Sequence, residues 1–118
     1  MAKDILFMLH PDFADPKAGP GAYFCPSCAF VEGVLSYYPQ LREAVEVRKV
    51  AFPRPRPAII ELVGEENQGC PVLILAGEPD PAATTVPTKR RNGRYFINDP
   101  KDIAEYLGLV HGAGRPHP

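Results

Sequence analysis

Cys25 and Cys28 are the residues best suited to chemistry in this chain, two thiols separated only by Pro26 and Ser27. A pair at that spacing can close a disulfide or supply two soft ligands to a metal. A helix-patterned stretch, Ala29–Tyr38, begins directly after them. The first turn of a helix offers unpaired N–H groups and the positive end of the backbone dipole, and both favour a thiolate over a thiol. An unperturbed thiol with a pKa of about 8.5 is only about 3% ionised at pH 7, whereas one lowered to about 7 is half ionised. Cys25, at the cap, therefore gains nucleophilicity from its position. Cys28 lies a turn further on, on the same face, within reach of a short-loop disulfide. The third cysteine, Cys70, directly precedes Pro71.

The elements that must position these residues are legible in order. Ile5-Leu6-Phe7-Met8-Leu9 is a continuous apolar run, the pattern of a strand buried on both faces of a sheet, and His10-Pro11 ends it. Residues 12–24 hold Pro16, Gly19, Pro20 and Gly21 and read as a long irregular loop of the kind that forms binding loops or lids. Pro26 suits a first helical position, where its missing N–H has no intrahelical partner. Phe30, Val31, Val34, Leu35 and Tyr38 then give one apolar stripe, stopped by Pro39. Gln40–Ala44 reads as a short connection to a second strand, Val45–Phe52, where Val45 and Val47 alternate with Glu46 and Arg48.

Pro53-Arg54-Pro55-Arg56-Pro57 is a stiff extended spacer, too short and internal for a recognition motif. Ala58–Val63 predicts a short helix with Gly64 as its stop. Gly69-Cys70-Pro71 leads into a third, fully apolar strand through Leu75. Proline cannot donate to a ladder and belongs at a strand start, a position that a cis Cys70–Pro71 bond would fit. A polar loop over 76–92 precedes a fourth strand, Arg94–Ile97, expected beside the third. Asp99, Pro100 and Asp102 mark a helix start, with Ile103, Ala104, Leu107 and Val110 as its apolar face.

Composition bounds the function. The chain has 118 residues, 45% of them hydrophobic and 23% charged, which fits one globular domain over residues 1–118 with its core at about 4–110 and a flexible tail over 112–118. A net charge of -1 gives no ground for nucleic acid or an acidic membrane surface as partner. No apolar stretch approaches the roughly 20 residues of a membrane span, and residues 1–5 hold no secretory signal. The expectation is a cytoplasmic protein, where thiols stay reduced, and an odd count of three cysteines agrees in arguing against a disulfide framework. The 15 prolines cluster at 11–26, 53–57 and 79–87, three ordered but irregular connections.

Cys25-Pro26-Ser27-Cys28 opening the first helix, Cys70-Pro71 before the third strand, and Asn98-Asp99 capping a helix that runs through Ile103-Ala104-Glu105-Tyr106-Leu107 together resemble the thioredoxin-like superfamily. The glutaredoxin and glutathione-transferase N-terminal branch is the nearer part of it, and the chain looks most like an uncharacterised bacterial thioredoxin-like family, a domain of unknown function. The resemblance covers residues 4–110. It implies an α/β fold of three layers, with a central mixed four-stranded sheet and helices on both faces. It also implies Cys25 as nucleophile, Cys28 as resolving thiol and Pro71 as a cis-proline facing them. The backbone of Cys70 would pair with a bound thiol peptide, and Asn98 and Asp99 would hold the γ-glutamyl end of glutathione. Two features depart from the family: a longer loop before Cys25, and a cysteine where glutathione-binding members commonly carry Val or Thr.

The leading expectation is a thiol–disulfide oxidoreductase that needs no cofactor, with a disulfide-containing protein or a small thiol such as glutathione as partner. The alternatives are a non-catalytic thioredoxin-like binding module and a glutathione-dependent transferase-like domain. The binding module could carry a zinc or iron–sulfur site built from Cys25, Cys28 and Cys70, with His10 or solvent as fourth ligand. His10 otherwise reads as a strand-end packing residue. Lys89-Arg90-Arg91 with Arg94 reads as a solvated hairpin tip, with an anion or glutathione-carboxylate contact as the alternative.

Overall fold

A computed structural model describes residues 2–118. Strand β1 (Asp4–Leu9) is central and pairs parallel with β4 (Val45–Val50) on one side and antiparallel with β5 (Val72–Ile74) on the other. β7 (Arg94–Ile97) adds to β5, and β6 (Lys89–Arg91) adds to β7, both antiparallel. The result is a mixed sheet of order β4-β1-β5-β7-β6.

The apolar run of β1 is buried on both faces for a visible reason. Leu6 and Met8 point to one side, where they join Val31 and Leu35 of helix α1 (Pro26–Tyr37) and Ile103 and Leu107 of helix α4 (Pro100–His111). Phe7 points to the other side and packs with Ile59 and Val63 of helix α3 (Pro57–Val63), together with Val72, Ile74 and Phe96. The period-two alternation of a strand thus feeds two separate cores, one under each helical layer.

The sheet has five strands where four were expected. The additional one is β6, which forms a two-residue hairpin with β7 around Asn92 and Gly93, at φ 53° and 73°. Positive φ at both central residues is the turn geometry that matches strand twist, and Asn-Gly is the dipeptide that adopts it most readily. The loop expected over 12–24 is likewise ordered. It contains β2 (Phe13–Asp15) paired antiparallel with β3 (Gly19–Tyr23), and Phe13 stacks on Phe52, with ring centroids 4.3 Å apart. Gln40–Ala44, expected as a connection, is a short helix, α2. Single 3-10 turns cover Glu65–Asn67 and Pro81–Ala83.

Past α4, Gly112 takes the left-handed conformation that ends the helix (φ 71°), and the expected tail folds back along it. The carbonyls of Ala113 and Gly114 lie so near Gly108 that an added Cβ there would sit about 3 Å from them, and Arg115 pairs with Glu105 at 3.5 Å.

Candidate functional site

Helix α1 starts where it does because Cys25 caps it. Cys25 is extended (φ -79°, ψ 116°), its carbonyl accepts the first helical bond from Ala29 N–H at 2.9 Å, and its Sγ accepts from Cys28 N–H at 3.3 Å. The thiol stands in the role that a Ser or Asp oxygen usually fills, and Pro26 follows at N1. From the opposite side, the Cys25 thiol donates to the carbonyl oxygen of Cys70 at 3.9 Å. The Cys70–Pro71 peptide bond is cis, and Pro71 is buried. One sulfur therefore lies between a helix N-terminus and the backbone that leads into β5.

The other two thiols are in different surroundings. Cys28 is 5% exposed and takes a place in the core beside Val31 and Leu35. Phe30, expected on that apolar stripe, is instead solvent-exposed. The Sγ of Cys28 accepts from the Leu9 N–H at 3.5 Å. Burial pushes the Cys28 thiol up to about 12, against the smaller opposing effect of the Leu9 N–H. Burial also pushes half-buried Cys70 up to about 11, while the positive charges of Arg56 and Arg54 pull it the other way. Both are neutral thiols at pH 7. No disulfide joins the three cysteines.

Beside the pair lies a cavity of about 260 Å³. Met8, Leu9, Phe24 and Cys28 form its apolar wall, and Asp12, Glu32 and Lys49 supply charge, with Lys49 Nζ 4.0 Å from Glu32. Phe24, immediately before Cys25, is 61% exposed. The sequence singled out none of these charged residues, which converge only through folding. Phe24 did carry a signal, as a large apolar residue adjoining a reactive thiol.

Cys25, Cys28, Cys70 and Pro71 come together, whereas Asn98 and Asp99 lie elsewhere. Asp99 caps α4 through a bond from Asp102 N–H at 3.0 Å, and with Asn98 it lines a separate concavity shared with Pro87 and Lys89. His10 is exposed beyond β1, with its backbone N–H bound to the Val50 carbonyl. Among the described residues no three His, Cys, Asp or Glu side chains converge as a metal ion requires, so the ligand set of Cys25, Cys28, Cys70 and His10 is not assembled. The reason is directional: Cys70 meets Cys25 through its carbonyl, and the His10 side chain faces solvent outside the cavity.

A sulfur held this way can act as a nucleophile toward another sulfur, with a second thiol one helical turn behind it. No helix is long and apolar enough to cross a membrane. Neither the curated proteins nor the solved structures include a match to the chain. Residues 3–115 match the family described as Protein of unknown function (DUF3088), and the chain belongs to that family.

Proposed function

We propose that this protein is a thioredoxin-like thiol–disulfide oxidoreductase in which Cys25 is the attacking thiol. The observation that carries the reading is the lodging of the Cys25 sulfur between the Cys28 N–H and the Cys70 carbonyl. The strand order β4-β1-β5-β7, with one parallel and two antiparallel pairings and helices on both faces, supports the thioredoxin-like assignment. Burial disarms Cys28 and Cys70 as first nucleophiles, which leaves Cys25 for the attack.

In the reaction, the Cys25 thiolate attacks a substrate disulfide and releases one half as a thiolate. The mixed disulfide is then resolved by an internal thiol, Cys28 in the family pattern, and the second half departs. The partner is a disulfide-bearing protein or a small thiol such as glutathione, and the cytoplasm is the compartment that keeps the dithiol reduced. Asn98 and Asp99 line a different concavity from the cysteines, and a contact of theirs with the γ-glutamyl end of glutathione belongs to the same proposal.

The test is a coupled assay in which the reduced protein reduces insulin or a small mixed disulfide. Cys25→Ser should abolish turnover and leave the fold intact by circular dichroism. Undiminished activity in that variant would end the assignment.

A further inference from the structure

We propose that the cavity beside Cys25 receives the zwitterionic amino-acid half of a small disulfide, a cysteine held only through its sulfur, with Asp12 meeting its ammonium and Lys49 its carboxylate. This names a substrate class for the oxidoreductase reading and rests on Cys25 as its nucleophile.

The cavity is built from three directions. Met8 and Lys49 are register partners in β1 and β4, so their side chains share the sheet face that carries α1. Glu32 comes from α1 itself, and Asp12 from the turn between β1 and β2. Asp12 is held in the left-handed conformation (φ 63°), which residues other than glycine seldom adopt, while the stack of Phe13 on Phe52 fixes the hairpin that follows. The charges do not cancel pairwise. Glu32 bonds to Arg42 and has Lys49 Nζ at 4.0 Å, so one carboxylate is shared between two cations. Asp12 has no ion-pair partner among the described residues. The lining thus offers one uncommitted anion and one loosely committed cation beside an apolar wall of Met8, Leu9 and Phe24. An α-amino acid presents the complementary two charges on one carbon, and the methylene that joins it to sulfur can lie against that wall. Size agrees. About 260 Å³ is the space of about nine waters, enough for an amino acid, whereas a tripeptide such as glutathione extends beyond it.

In the step this serves, the Cys25 thiolate attacks one sulfur of the disulfide R–S–S–R. The Cys25–S bond forms as the S–S bond breaks, and R–S⁻ leaves with the electron pair and takes up the proton that the Cys25 thiol gave. One thiol and one disulfide become one mixed disulfide and one thiol, so no further reactant is needed. The half left on Cys25 is the half that the cavity holds.

The probes are cystine, with both charges on each half, cystamine, with the ammonium only, and 3,3′-dithiodipropionate, with the carboxylate only. Each is added near neutral pH to the reduced Cys28→Ala protein, and formation of the Cys25 adduct is timed by mass spectrometry with peptide mapping. The ratio of variant to parent for one probe removes differences in the leaving thiol. Asp12→Asn, which suits the left-handed backbone, should slow cystine and cystamine by about threefold to fivefold and speed the dicarboxylate, as exposed charges allow. Lys49→Gln should slow cystine and the dicarboxylate by about as much and speed cystamine. Cystine is decisive. It carries no net charge, so a diffuse field leaves it unmoved, whereas a two-point site loses it in both variants. Cystine unaffected by either substitution, or all three probes shifting together, overturns the proposal. A peptide thiol capped by cysteine presents the same half; both sources support the site, and the faster of the two identifies the source. Failure of the underlying reading looks different: no probe marks Cys25, or Cys25→Ser takes up probe as fast as the parent.

Discussion

Arg56 is 6% exposed and brings a full charge into the interior. Its guanidinium donates to the Phe52 carbonyl through Nε at 3.1 Å and again through Nη2, and to the Gln68 carbonyl through Nη1 at 2.7 Å. Its own N–H donates to Gln68 Oε1 at 2.7 Å. The Phe52 ring, 5.9 Å under the guanidinium, is the one that stacks on Phe13 of the β2–β3 hairpin. One side chain thus ties the proline connector, the turn before Cys70 and the hairpin together. In Arg56→Met, two carbonyls lose charge-assisted bonds worth about 1.5–3 kcal/mol each. Relief from burying the cation offsets part of that, for a net loss of about 2–4 kcal/mol. At about 4 °C per kcal/mol for a chain of this length, Tm should fall by about 10 °C. Arg56→Lys keeps the charge but not the fork and should lose roughly half as much. Urea unfolding followed by far-ultraviolet circular dichroism measures both, and limited proteolysis near Gly19–Gly21 reports whether the hairpin loosens. A Met variant within about 1 kcal/mol of the parent would refute the clamp, since one lost bond of this kind already exceeds that.

With iodoacetamide at pH 8, Cys25 should be labelled first in the folded protein. Cys28 and Cys70 should react only in denaturant, because thiols at about 12 and about 11 are ionised to about one part in 10⁴ and 10³ there; preferential labelling of folded Cys28 would reverse the assignment. Stability should also depend on alkaline pH. Both thiols have folded pKa values above the ordinary value of 9.0, so the stability they contribute is present below pH 9 and is lost as pH rises toward 11–12. Urea midpoints across pH 8–11 should decline in the parent and decline less in Cys28→Ala/Cys70→Ala; parallel curves would contradict this. Asp99→Ala removes the cap on α4 and should cost about 1 kcal/mol in the same unfolding measurement, against no change if the 3.0 Å bond contributes nothing. Gly93→Val forces a β-branched residue to φ 73° and should destabilise by about 1 kcal/mol or more, with hydrogen exchange at Lys89–Arg91 accelerating before the rest of the sheet.

What the sequence disclosed was whatever local chemistry decides. β1 announced itself because both faces are buried, α4 because Asp99-Pro100 caps it, and the cysteine pair because cap and helix adjoin in the chain. The nearness of Cys70 to Cys25 was legible only through the family resemblance, since Pro71 by itself marks no more than the start of β5. The β2–β3 hairpin was hidden. Its glycines and prolines read as irregular, yet Gly19 (φ 131°) and Gly21 (φ 100°) serve an ordered ribbon, and the stack on Phe52 comes from a distant stretch of chain. β6 was hidden differently. Lys89-Arg90-Arg91 has no apolar alternation because both its faces are exposed, and Asn92-Gly93 was the signal that could have revealed it. Asp99 caps α4 as its place before Pro100 indicates, and with Asn98 it lines a concavity other than the cysteine cavity, a placement that the local sequence does not disclose. Nothing local distinguished Arg56 from Arg54 in the proline run; only the turn at Gln68, arriving from the far end of α3, buries one and leaves the other outside.

The basic strand at the end of the sheet bears on how the molecule behaves at high concentration. β6 offers one row of ladder groups to β7 and leaves the other row open, the arrangement that lets sheets recruit further strands from other molecules. A second copy pairing antiparallel about Arg90 would set Arg90 against Arg90 and Lys89 against Arg91, three like-charged oppositions on a strand three residues long. Arg90 lies 5.0 Å from the centre of the Tyr95 ring and Arg91 is 3.0 Å from Glu66, so two of the three charges are also held near the edge. Salt shortens the reach of that repulsion to about 3 Å at 1 M, and the open edge is then guarded only by the brevity of the strand.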